Sequence, residues 1–534
     1  MKLRGESLKD TSFWEKAGIA LPRFDLKKMI AQTKASPKWV HFGAGNIFRI
    51  FPAVLSQYLL EQGFEETGII VAEGYDGQII DKCFAEFDNL SIAVTLKSDG
   101  TTEKQVVASV AQALRMDAGM TRLKEIFASQ SLQMASFTIT EKGYSLKGKN
   151  GELLPDAASD FKSDPACAVS YLGRIASLCH ERYIRGAKPL AMVSMDNCSH
   201  NGDVLFSAIE IFAENWTDNK TADAGFLEYV RDKSKLSFTW SMIDKITPRP
   251  DDGVRDMLAS CGLEDMRGTV TDKNTYIAPF VNAEETQYLV IEDAFPNGRP
   301  ALEKAGVLFT GRETVDRIEK MKVCTCLNPL HTSLAIFGCL LGYTRISDEM
   351  KDADLVKLIE GVGYSEGLPV VTDPGIIKPR DFIDQVIKTR LPNPFMPDSP
   401  QRIAADSSLK IPIRFGETLK AYKNLKGNCA ELKFIPLVLA GWLRYLLGFD
   451  DQGNQFKVSP DPQYEALAAC LGGISLGQTV SFRKKLEPVL SNSRYFAVNL
   501  YETGLGERIE DLFTQMIASA GAVRAVLSRT VNAG

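Results

Sequence analysis

The sequence predicts an α/β fold for the first part of the chain and a mostly α-helical second part. Between about residues 38 and 241, short runs of apolar and β-branched residues alternate with helical stretches. This alternation is typical of a mainly parallel sheet covered by helices. After about residue 301 the apolar residues recur at the spacing of an α-helix. A turn-rich segment, FPNGRP at 295–300, separates the two patterns.

We place the domain boundary between residues 296 and 312, so that the first domain covers 1–300 and the second covers 301–534. In the first domain the predicted strands are 38–42, 68–72, 91–96, 135–140 and 190–194, and the predicted helices include 51–61 and 121–128. In the second domain long helices are predicted at 314–322, 331–341, 352–360, 435–447 and 505–527.

The composition is that of an average globular protein and excludes several classes of function. The chain has 534 residues, of which 45% are hydrophobic and 24% are charged. A net charge of −5 lacks the basic excess that a nucleic-acid binder needs for phosphate contacts. The longest apolar stretch, 435–447, is shorter than the ~20 residues of a membrane span and contains Arg444. The N-terminal residues lack the apolar core of a signal peptide, so we expect no membrane partner.

Cysteine and histidine usage points to a cytoplasmic protein without a metal site. The ten cysteines are scattered without a disulfide framework, which fits reduced thiols in the cytoplasm. With only four histidines and no clustered Cys/His ligands, a zinc alcohol dehydrogenase is an unfavourable reading. A zinc site therefore has few possible ligands, and we expect an enzyme whose partner is a small molecule; the sequence does not predict an oligomeric state.

A glycine-rich turn after the first predicted strand is the first motif that carries chemistry. Gly43 permits a tight turn, and Gly45 lets the backbone approach a pyrophosphate at the start of the next helix. Phe48 stands where the fingerprint has its third glycine. The second predicted strand ends at Glu73, where a carboxylate can bind both ribose hydroxyls and repel a 2′-phosphate, which favours NAD. The candidate cofactor-binding residues are Gly43, Gly45, Asn46, Ile47, Phe48, Glu73 and Asp76.

This motif has an alternative interpretation. A Gly-x-Gly pair arises often in loops, and Glu73 and Asp76 can equally be solvated loop acids. The position of the pair between a strand and a helix favours the dinucleotide interpretation.

Lysine, asparagine and histidine side chains lie together at the start of an otherwise apolar helix. Alcohol–ketone hydride transfer needs a base for the hydroxyl proton, and Lys322 can act so if burial or neighbouring cations depress its pKa. The Asn328 amide can hold the developing alkoxide, and His331 can orient the substrate. The alternative is structural: Asn328 caps a helix whose first residue is Pro329, and His331 is a core histidine.

Two further polar residues follow predicted strands. Asn197 lies after strand 190–194, at a carboxyl strand end where open α/β sheets place ligands. Asp244 lies in the apolar context of SMIDKITP at 241–248. Asp196 and Asn197 can also be turn residues.

Taken in order, these motifs resemble the long-chain polyol dehydrogenase family, which includes mannitol 2-dehydrogenases, fructuronate reductases and tagaturonate reductases. The resemblance covers nearly the whole chain. It rests on HFGAGNIFR at 41–49, TITEKGY at 138–144, SMDNCSHNG at 194–202, SMIDKITP at 241–248, VIEDAFPNGRP at 290–300, the Lys322, Asn328 and His331 cluster, and RLPNP at 390–394. It implies a Rossmann-type N-terminal domain, a helical C-terminal domain and a metal-independent active site in the cleft between them.

The resemblance also implies roles for individual residues. Lys322 resembles the family's general acid/base, and Asp244 an acid placed near that lysine. Asn197 and Asn328 resemble the amides that stabilise the oxyanion, and His331 the histidine that contacts substrate. A substrate-binding arginine is expected within 390–402, with Arg402 as the first choice and Arg390 as the second.

The substrate is inferred from the sequence of one segment and from the cations that a charged substrate would need. Residues 322–343 are most similar to fructuronate reductases, which implies that D-fructuronate and D-mannonate are interconverted with NADH. A substrate carboxylate needs a cation, and the region offers Arg390, Arg402, Lys410 and Arg414. Tagaturonate reduction and mannitol oxidation remain alternatives. So does a regulator that binds nucleotide without catalysis, although such a protein has no need of the lysine cluster.

One departure from the family pattern predicts an irregular helix. Five residues separate Lys322 from Asn328, where the family usually has four. On a regular helix, at about 100° per residue, Lys322 would lie about 180° from His331. We therefore predict a π-bulge or a break between Cys324 and Pro329, with the lysine turned toward Asn328 and His331.

Overall fold

The computed structural model describes residues 1–148, 150–478 and 480–533, and it leaves out the side chains of Ala118 and Gly119. The chain forms two compact units. The first comprises Met1–Lys97 and Thr101–Val315, and the second comprises Ser98–Gly100 and Asp316–Gly534. The division at 315/316 lies a short way beyond the boundary predicted from the sequence.

A parallel six-stranded sheet forms the centre of the first unit. Its strand order is β5-β2-β1-β6-β7-β8, and every neighbouring pair is parallel. Counted along the chain within this sheet, the order is 3-2-1-4-5-6, which is that of doubly wound dinucleotide-binding domains. The strands of the unit are β1 Trp39–Phe42, β2 Ile69–Glu73, β3 Ser91–Leu96, β4 Thr102–Val107, β5 Val110–Arg115, β6 Met134–Phe137, β7 Leu190–Ser194, β8 Leu236–Thr239, β9 Ser241–Asp244, β10 Thr269–Val270, β11 Tyr276–Ile277, β12 Phe280–Glu284, β13 Tyr288–Glu292 and β14 Leu308–Thr310.

The remaining strands form smaller sheets, and one prediction is corrected there. Segment 91–96 is a strand, β3, but it lies outside the main sheet. It pairs with β4 antiparallel and with β12 parallel. The strand that takes its place in the parallel sheet is β5, which was not predicted from the sequence. A third small sheet has the order β14-β13-β9, and β10 pairs with β11.

Helices cover both faces of the main sheet, so that all of its strands except the edge strand β5 are buried along their whole length. Two hydrophobic clusters result, one on each face, with Phe42 and Phe137 in the first and Trp39 and Phe48 in the second. The helices of the first unit are α1 Thr11–Ala17, α2 Leu26–Ala35, α3 Asn46–Ile50, α4 Pro52–Glu61, α5 Gln78–Cys83, α6 Met116–Ala128, α7 Glu141–Tyr144, α8 Pro155–Asp160, α9 Tyr171–Ile184, α10 Asn201–Asp218, α11 Ala224–Arg231 and α12 Asp252–Ser260.

The described residues of the second unit form helices and loops, with one isolated β-bridge between Phe449 and Gln455. Helix α14 is almost entirely buried, and α21 is buried on all sides, so these two form its core. Its helices are α13 Arg312–Met321, which begins in the first unit, α14 Asn328–Leu341, α15 Ile346–Glu349, α16 Ala353–Glu360, α17 Pro379–Gln385, α18 Pro400–Ile403, α19 Ser407–Arg414, α20 Gly416–Lys426, α21 Phe434–Tyr445, α22 Tyr464–Leu471, α23 Arg483–Leu490, α24 Ser493–Phe496, α25 Gly506–Met516 and α26 Ala522–Asn532.

Two helical features differ from the sequence expectation. The single helix predicted over 505–527 is two helices, α25 and α26, because Gly521 adopts φ 78° between them. The stretch Arg312–Leu341 is long and apolar enough by composition to cross a membrane, although no such segment was predicted. Its most apolar window is 78% buried inside the protein, as in a core helix.

Three π-helical segments interrupt the second unit, at Lys322–Cys326, Gly361–Gly367 and Val386–Arg390. The first two pack against each other: a Cβ on Gly367 would lie 2.8 Å from Thr325 Cγ2. Lys322 and Arg390, both candidate site residues, lie within such segments, which are frequent at functional sites.

Candidate active site

The turn after β1 has the geometry that the glycine motif predicted. Gly43 adopts φ 108°, a conformation that L side chains rarely take, and its N–H donates to the Ala72 carbonyl at 2.9 Å. A Cβ on Gly43 would lie 2.6 Å from the Thr138 carbonyl oxygen. Gly45 directly precedes α3, and a Cβ there would meet nothing within 4 Å. The backbone at Gly45 therefore borders open space, as a pyrophosphate-binding turn requires.

The Glu73 carboxylate joins this turn to the loop after β2. Its Oε2 accepts from Ala44 N at 2.9 Å, and its Oε1 accepts from Tyr75 N at 2.8 Å and Asp76 N at 3.1 Å. The residue is 7% exposed. Oε1 already accepts two hydrogen bonds, whereas Oε2 accepts one and keeps a further lone pair that a ribose hydroxyl can use. These bonds fix the carboxylate at the carboxyl edge of the sheet.

The other predicted cofactor residues occupy different environments. Asp76 is 2% exposed and accepts from Thr271 Oγ1 at 2.6 Å. Asn46 Oδ1 accepts from Arg49 Nη2 at 2.8 Å, so this amide oxygen is engaged within the protein. The Phe48 side chain is fully buried and stacks on His41, with 4.3 Å between ring centroids. Phe48 therefore has only its backbone to offer a cofactor, because its ring serves the core.

A cavity of about 660 Å³ lies at the carboxyl ends of β6, β7 and β9. Asn197 is one of its lining residues and is exposed, and Ile47 lines the same cavity. Thr138, Met195 and Lys245 also line it, and the sequence analysis singled out none of these three. The Lys245 amine donates to the Glu284 carbonyl at 2.9 Å. The cavity brings Asn197 and Ile47 together, as expected for residues at one sheet edge.

A buried asparagine, which the sequence analysis also missed, holds the loop that carries Asn197. Asn201 is fully buried, and its amide donates to the Asp196 carbonyl at 3.1 Å and the Ser241 carbonyl at 3.2 Å. Its Oδ1 accepts from Ser241 N at 3.0 Å. Asn201 thus joins the end of β7 to the start of β9. The signal was present in the sequence as a polar residue inside the SMDNCSHNG motif.

Asp196 is a structural member of the same loop. Tyr144 donates its hydroxyl to Asp196 Oδ2, and Cys198 N donates to Oδ1 at 3.0 Å. Burial raises the pKa of Asp196 above its ordinary value, and these hydrogen bonds oppose that shift. Asp244, the last residue of β9, is 4% exposed and lies opposite Tyr288 in the antiparallel pair with β13.

In the second unit the irregularity predicted between Lys322 and His331 is present. Residues Lys322–Cys326 form a π-helical turn, in which Leu327 N donates to the Lys322 carbonyl at 3.1 Å. Leu327 leaves helical geometry at φ −126°, and α14 then begins at Asn328 with Pro329 in its first turn. The extra residue is therefore absorbed in the π turn, as the spacing predicted. The direction of the Lys322 amine remains a prediction.

His331, in the first turns of α14, is held in a buried and strongly charged environment. Its Nε2 lies 3.6 Å from Asp398 Oδ2 and has no hydrogen-bond partner among the described residues. The pKa of His331 is lowered to about 4, chiefly by burial and also by Arg414, Arg402 and Arg390, while Asp398 opposes the shift. The imidazole is therefore neutral at pH 7, and Nε2 remains available for a hydrogen bond.

The three arginines that act on His331 differ in their surroundings. Arg390 is 5% exposed at the end of a π-helical segment. Arg402 is 63% exposed and forms an ion pair with Asp398. Arg414 donates from Nη1 to Thr332 Oγ1 at 2.5 Å, and burial lowers its pKa to about 10. The two predicted arginines and Arg414 thus all act on the charge of one histidine, an environment suited to a carboxylate ligand. Among the described residues, no group of three metal-ligating side chains is found.

Protein-family models match the chain in two consecutive parts. The Rossmann domain of mannitol dehydrogenase matches residues 37–304. The C-terminal domain of mannitol dehydrogenase matches residues 314–517. Together the two models cover most of the chain.

Individual proteins give the same picture. The chain is 52% identical to the D-mannonate oxidoreductase of Thermotoga maritima, over 99% of each chain. A substrate-free D-sorbitol dehydrogenase superposes with a TM-score of 0.80 at 24% identity, covering 98% of this chain and 100% of that one. The Pseudomonas fluorescens mannitol 2-dehydrogenase, solved with NAD and D-mannitol, gives a TM-score of 0.69 at 24% identity over 100% of both chains. At this identity the two structures bear on the fold alone.

Proposed function

The chain belongs to the mannitol dehydrogenase family, and from this we propose that it is an NAD-dependent oxidoreductase that interconverts D-fructuronate and D-mannonate. Family membership confirms three predictions: the family itself, a Rossmann-type domain followed by a helical one, and a dehydrogenase activity. Within this assignment, the domain predicted over 1–300 provides cofactor binding and the one predicted over 301–534 provides substrate recognition.

The substrate proposal is carried by the arginines around His331. A sugar acid brings a carboxylate, and a forked guanidinium binds a carboxylate through two parallel hydrogen bonds. Arg390, Arg402 and Arg414 all lie close enough to His331 to lower its pKa. A neutral polyol needs no such concentration of positive charge. The relative at 52% identity is named for D-mannonate, which is a sugar acid.

The residues around the glycine turn fit a dinucleotide. The space next to Gly45 admits a pyrophosphate, and Glu73 presents fixed carboxylate oxygens to the ribose. A carboxylate repels the 2′-phosphate of NADP, so these residues favour NAD. When bound, NAD accepts a hydride from the alcohol carbon or returns it as NADH.

The chain's own residues then provide proton transfer and charge stabilisation. In the oxidation direction, Lys322 accepts the hydroxyl proton, and in reduction it returns a proton to the alkoxide oxygen. The Asn197 and Asn328 amides donate hydrogen bonds to that oxygen as negative charge develops on it. Neutral His331 contacts a substrate hydroxyl through Nε2, and Asp244 acts on the charge of the lysine. Arg402 or Arg390 binds the substrate carboxylate.

Turnover tests this proposal directly. Fructuronate, tagaturonate and fructose are each assayed with NADH and with NADPH, by the loss of reduced-cofactor absorbance. We expect the highest kcat/KM for fructuronate with NADH, and activity that survives a strong chelator. A higher kcat/KM with tagaturonate or fructose would contradict the substrate assignment. Absence of turnover with all three would favour the nucleotide-binding regulator.

A further inference from the structure

We propose that Asp81 and Asp117 form a clamp on Arg115, and that this aspartate clamp helps the protein reject NADP by withholding the arginine from a 2′-phosphate. The inference rests on the proposed function, because it takes the ribose to bind at Glu73. It adds a second determinant of cofactor choice to the repulsion by Glu73 itself.

Arg115 lies next to Glu73 in the main sheet. It is the last residue of β5, and in the parallel pairing of β2 with β5 it is the direct partner of Glu73. Direct partners on neighbouring strands point to the same face of a sheet. The two side chains therefore leave the same sheet edge on the same face.

Both side chains also border the loop that follows β2. Glu73 accepts hydrogen bonds from the backbone of Tyr75 and Asp76 in this loop. Arg115 passes over the end of the loop, since a Cβ on Gly77 would lie 2.8 Å from Arg115 Nε. In a doubly wound domain the adenosine ribose binds at this end of the second strand. The guanidinium is consequently within one loop of the position that a 2′-phosphate would occupy.

The aspartate clamp occupies most of the arginine's hydrogen-bonding capacity. Nη1 donates to Asp81 Oδ2 at 2.8 Å, Nη2 donates to Asp117 Oδ2 at 2.7 Å, and Nε donates to Asp117 Oδ1 at 3.1 Å. A guanidinium has five N–H donors, and Asp117 takes two of them in the bidentate manner that a phosphate would use. Asp117 thus stands where a phosphate would bind.

The net charge around Arg115 also disfavours a 2′-phosphate. One arginine and two aspartates carry a net charge of −1, and Glu73 makes the local total −2. A 2′-phosphate carries between about −1.5 and −2 at neutral pH, as other phosphomonoesters do. It would therefore meet net negative charge beside a guanidinium whose bidentate donors are already taken. Neutralising both aspartates would leave the arginine's charge uncompensated.

Binding of the oxidised cofactors to the protein alone tests the clamp. The variant Asp81→Asn/Asp117→Asn keeps the shape of both side chains and removes their charge. Dissociation constants for NADP⁺ and NAD⁺ are measured by titration calorimetry without substrate. We expect the Kd of NADP⁺ to fall about tenfold, equivalent to about 1.4 kcal/mol, and that of NAD⁺ to change less than about twofold.

Two further variants test whether the released Arg115 guanidinium causes the gain in NADP⁺ affinity. In Asp81→Asn/Asp117→Asn/Arg115→Gln the gain for NADP⁺ should disappear, because the released guanidinium is gone. Asp252→Asn/Asp256→Asn is the matched control: Arg255 is held by these two aspartates at 2.6 and 2.8 Å, in a second arginine–aspartate arrangement. It changes the net charge equally and should leave both dissociation constants unchanged.

Three outcomes would overturn the proposal. They are an unchanged Kd for NADP⁺ in the double variant, a gain that persists without Arg115, and an equal gain in the control variant. Because the readout is cofactor binding, an error in the proposed substrate leaves the measurement unaffected. If the unaltered protein binds neither NAD⁺ nor NADP⁺, the proposed cofactor and the clamp are both wrong.

Discussion

Two buried glutamates, one in each unit, are held in opposite ways. Glu73, at the sheet edge of the first unit, accepts hydrogen bonds from three backbone N–H groups. Glu349, in α15 of the second unit, is fully buried, and neither of its oxygens has a hydrogen-bond partner among the described residues. Burial raises the pKa of Glu349 to about 9, so this carboxyl is neutral at pH 7.

The contrast extends to the neighbouring functional candidates. In the first unit, backbone groups fix the Glu73 carboxylate before any ligand arrives. In the second unit, His331 is neutral, its pKa is lowered by three arginines, and its Nε2 has no hydrogen-bond partner among the described residues. Under the proposed function, the chain itself fixes the carboxylate that would bind the cofactor, whereas His331 keeps a polar atom for the substrate to satisfy.

The largest effect is expected for the proposed proton acceptor in the second unit. Lys322→Ala should lower kcat by about 10²–10⁴-fold, because the hydroxyl proton loses its acceptor, while NAD binding stays within about twofold. Stopped-flow turnover and cofactor titration measure the two quantities. Lys320→Ala is the control, since this nearby lysine pairs with Asp316 and is 57% exposed. A fall of less than about tenfold would assign the proton to another group.

The second-largest effect is expected on the KM values, and it should differ between fructuronate, which is charged, and fructose, which is neutral. Arg402→Ala should raise the KM for fructuronate about 10- to 100-fold and that for fructose far less, because only fructuronate loses a charge-assisted hydrogen bond. Steady-state kinetics on both substrates measure the difference. Lys388→Ala, an exposed lysine paired with Asp384, is the control. Equal changes for both substrates would make Arg402 structural, and Arg390 would then be the residue to test.

A smaller effect is expected at Glu73, the carboxylate that backbone N–H groups already hold in place. Glu73→Gln should narrow the preference for NADH over NADPH by about tenfold, because the 2′-phosphate no longer meets a carboxylate. The ratio of kcat/KM for the two cofactors is the measurement. Glu86→Gln, an exposed acid of the same unit, should leave that ratio unchanged. Equal use of both cofactors by the unaltered protein would contradict the role of Glu73.

The smallest effect concerns stability and pH. Between pH about 4.5 and about 9 the folded protein keeps a proton on Glu349 that the unfolded chain has lost, so stability falls as pH rises through this range. Glu349→Gln mimics the protonated form. Its Tm should match that of the unaltered protein at pH 4 and exceed it by about 5 °C at pH 8. Glu360→Gln, an exposed acid, should show no such pH-dependent gain in scanning calorimetry.

Features determined by neighbouring residues could be predicted from the sequence. The Gly43 turn, the strand that ends at Glu73 and the π turn after Lys322 all depend on spacing within a few residues. Strand β3 was recognised as a strand but assigned to the wrong sheet, because its partner β12 lies far along the chain. Alternation of apolar residues identifies a strand without identifying its neighbour.

The functional residues that were not predicted from the sequence escaped prediction for the same reason. Asn201 acts through Ser241, and Asp398 through His331, and these are contacts between distant segments. Phe48 was named for its place in the fingerprint, yet packing against His41 determines where its ring lies. Tertiary packing of this kind leaves no periodic signal in the sequence.

The π-helical turn at Lys322–Cys326 also bears on how this segment tolerates insertions and deletions. An insertion inside a helix would ordinarily rotate every later side chain by about 100°. Here the wider turn takes up the additional residue, so that α14 and everything after it need no new register. Homologues that differ by one residue before Asn328 can thus be compared position by position from that asparagine onward.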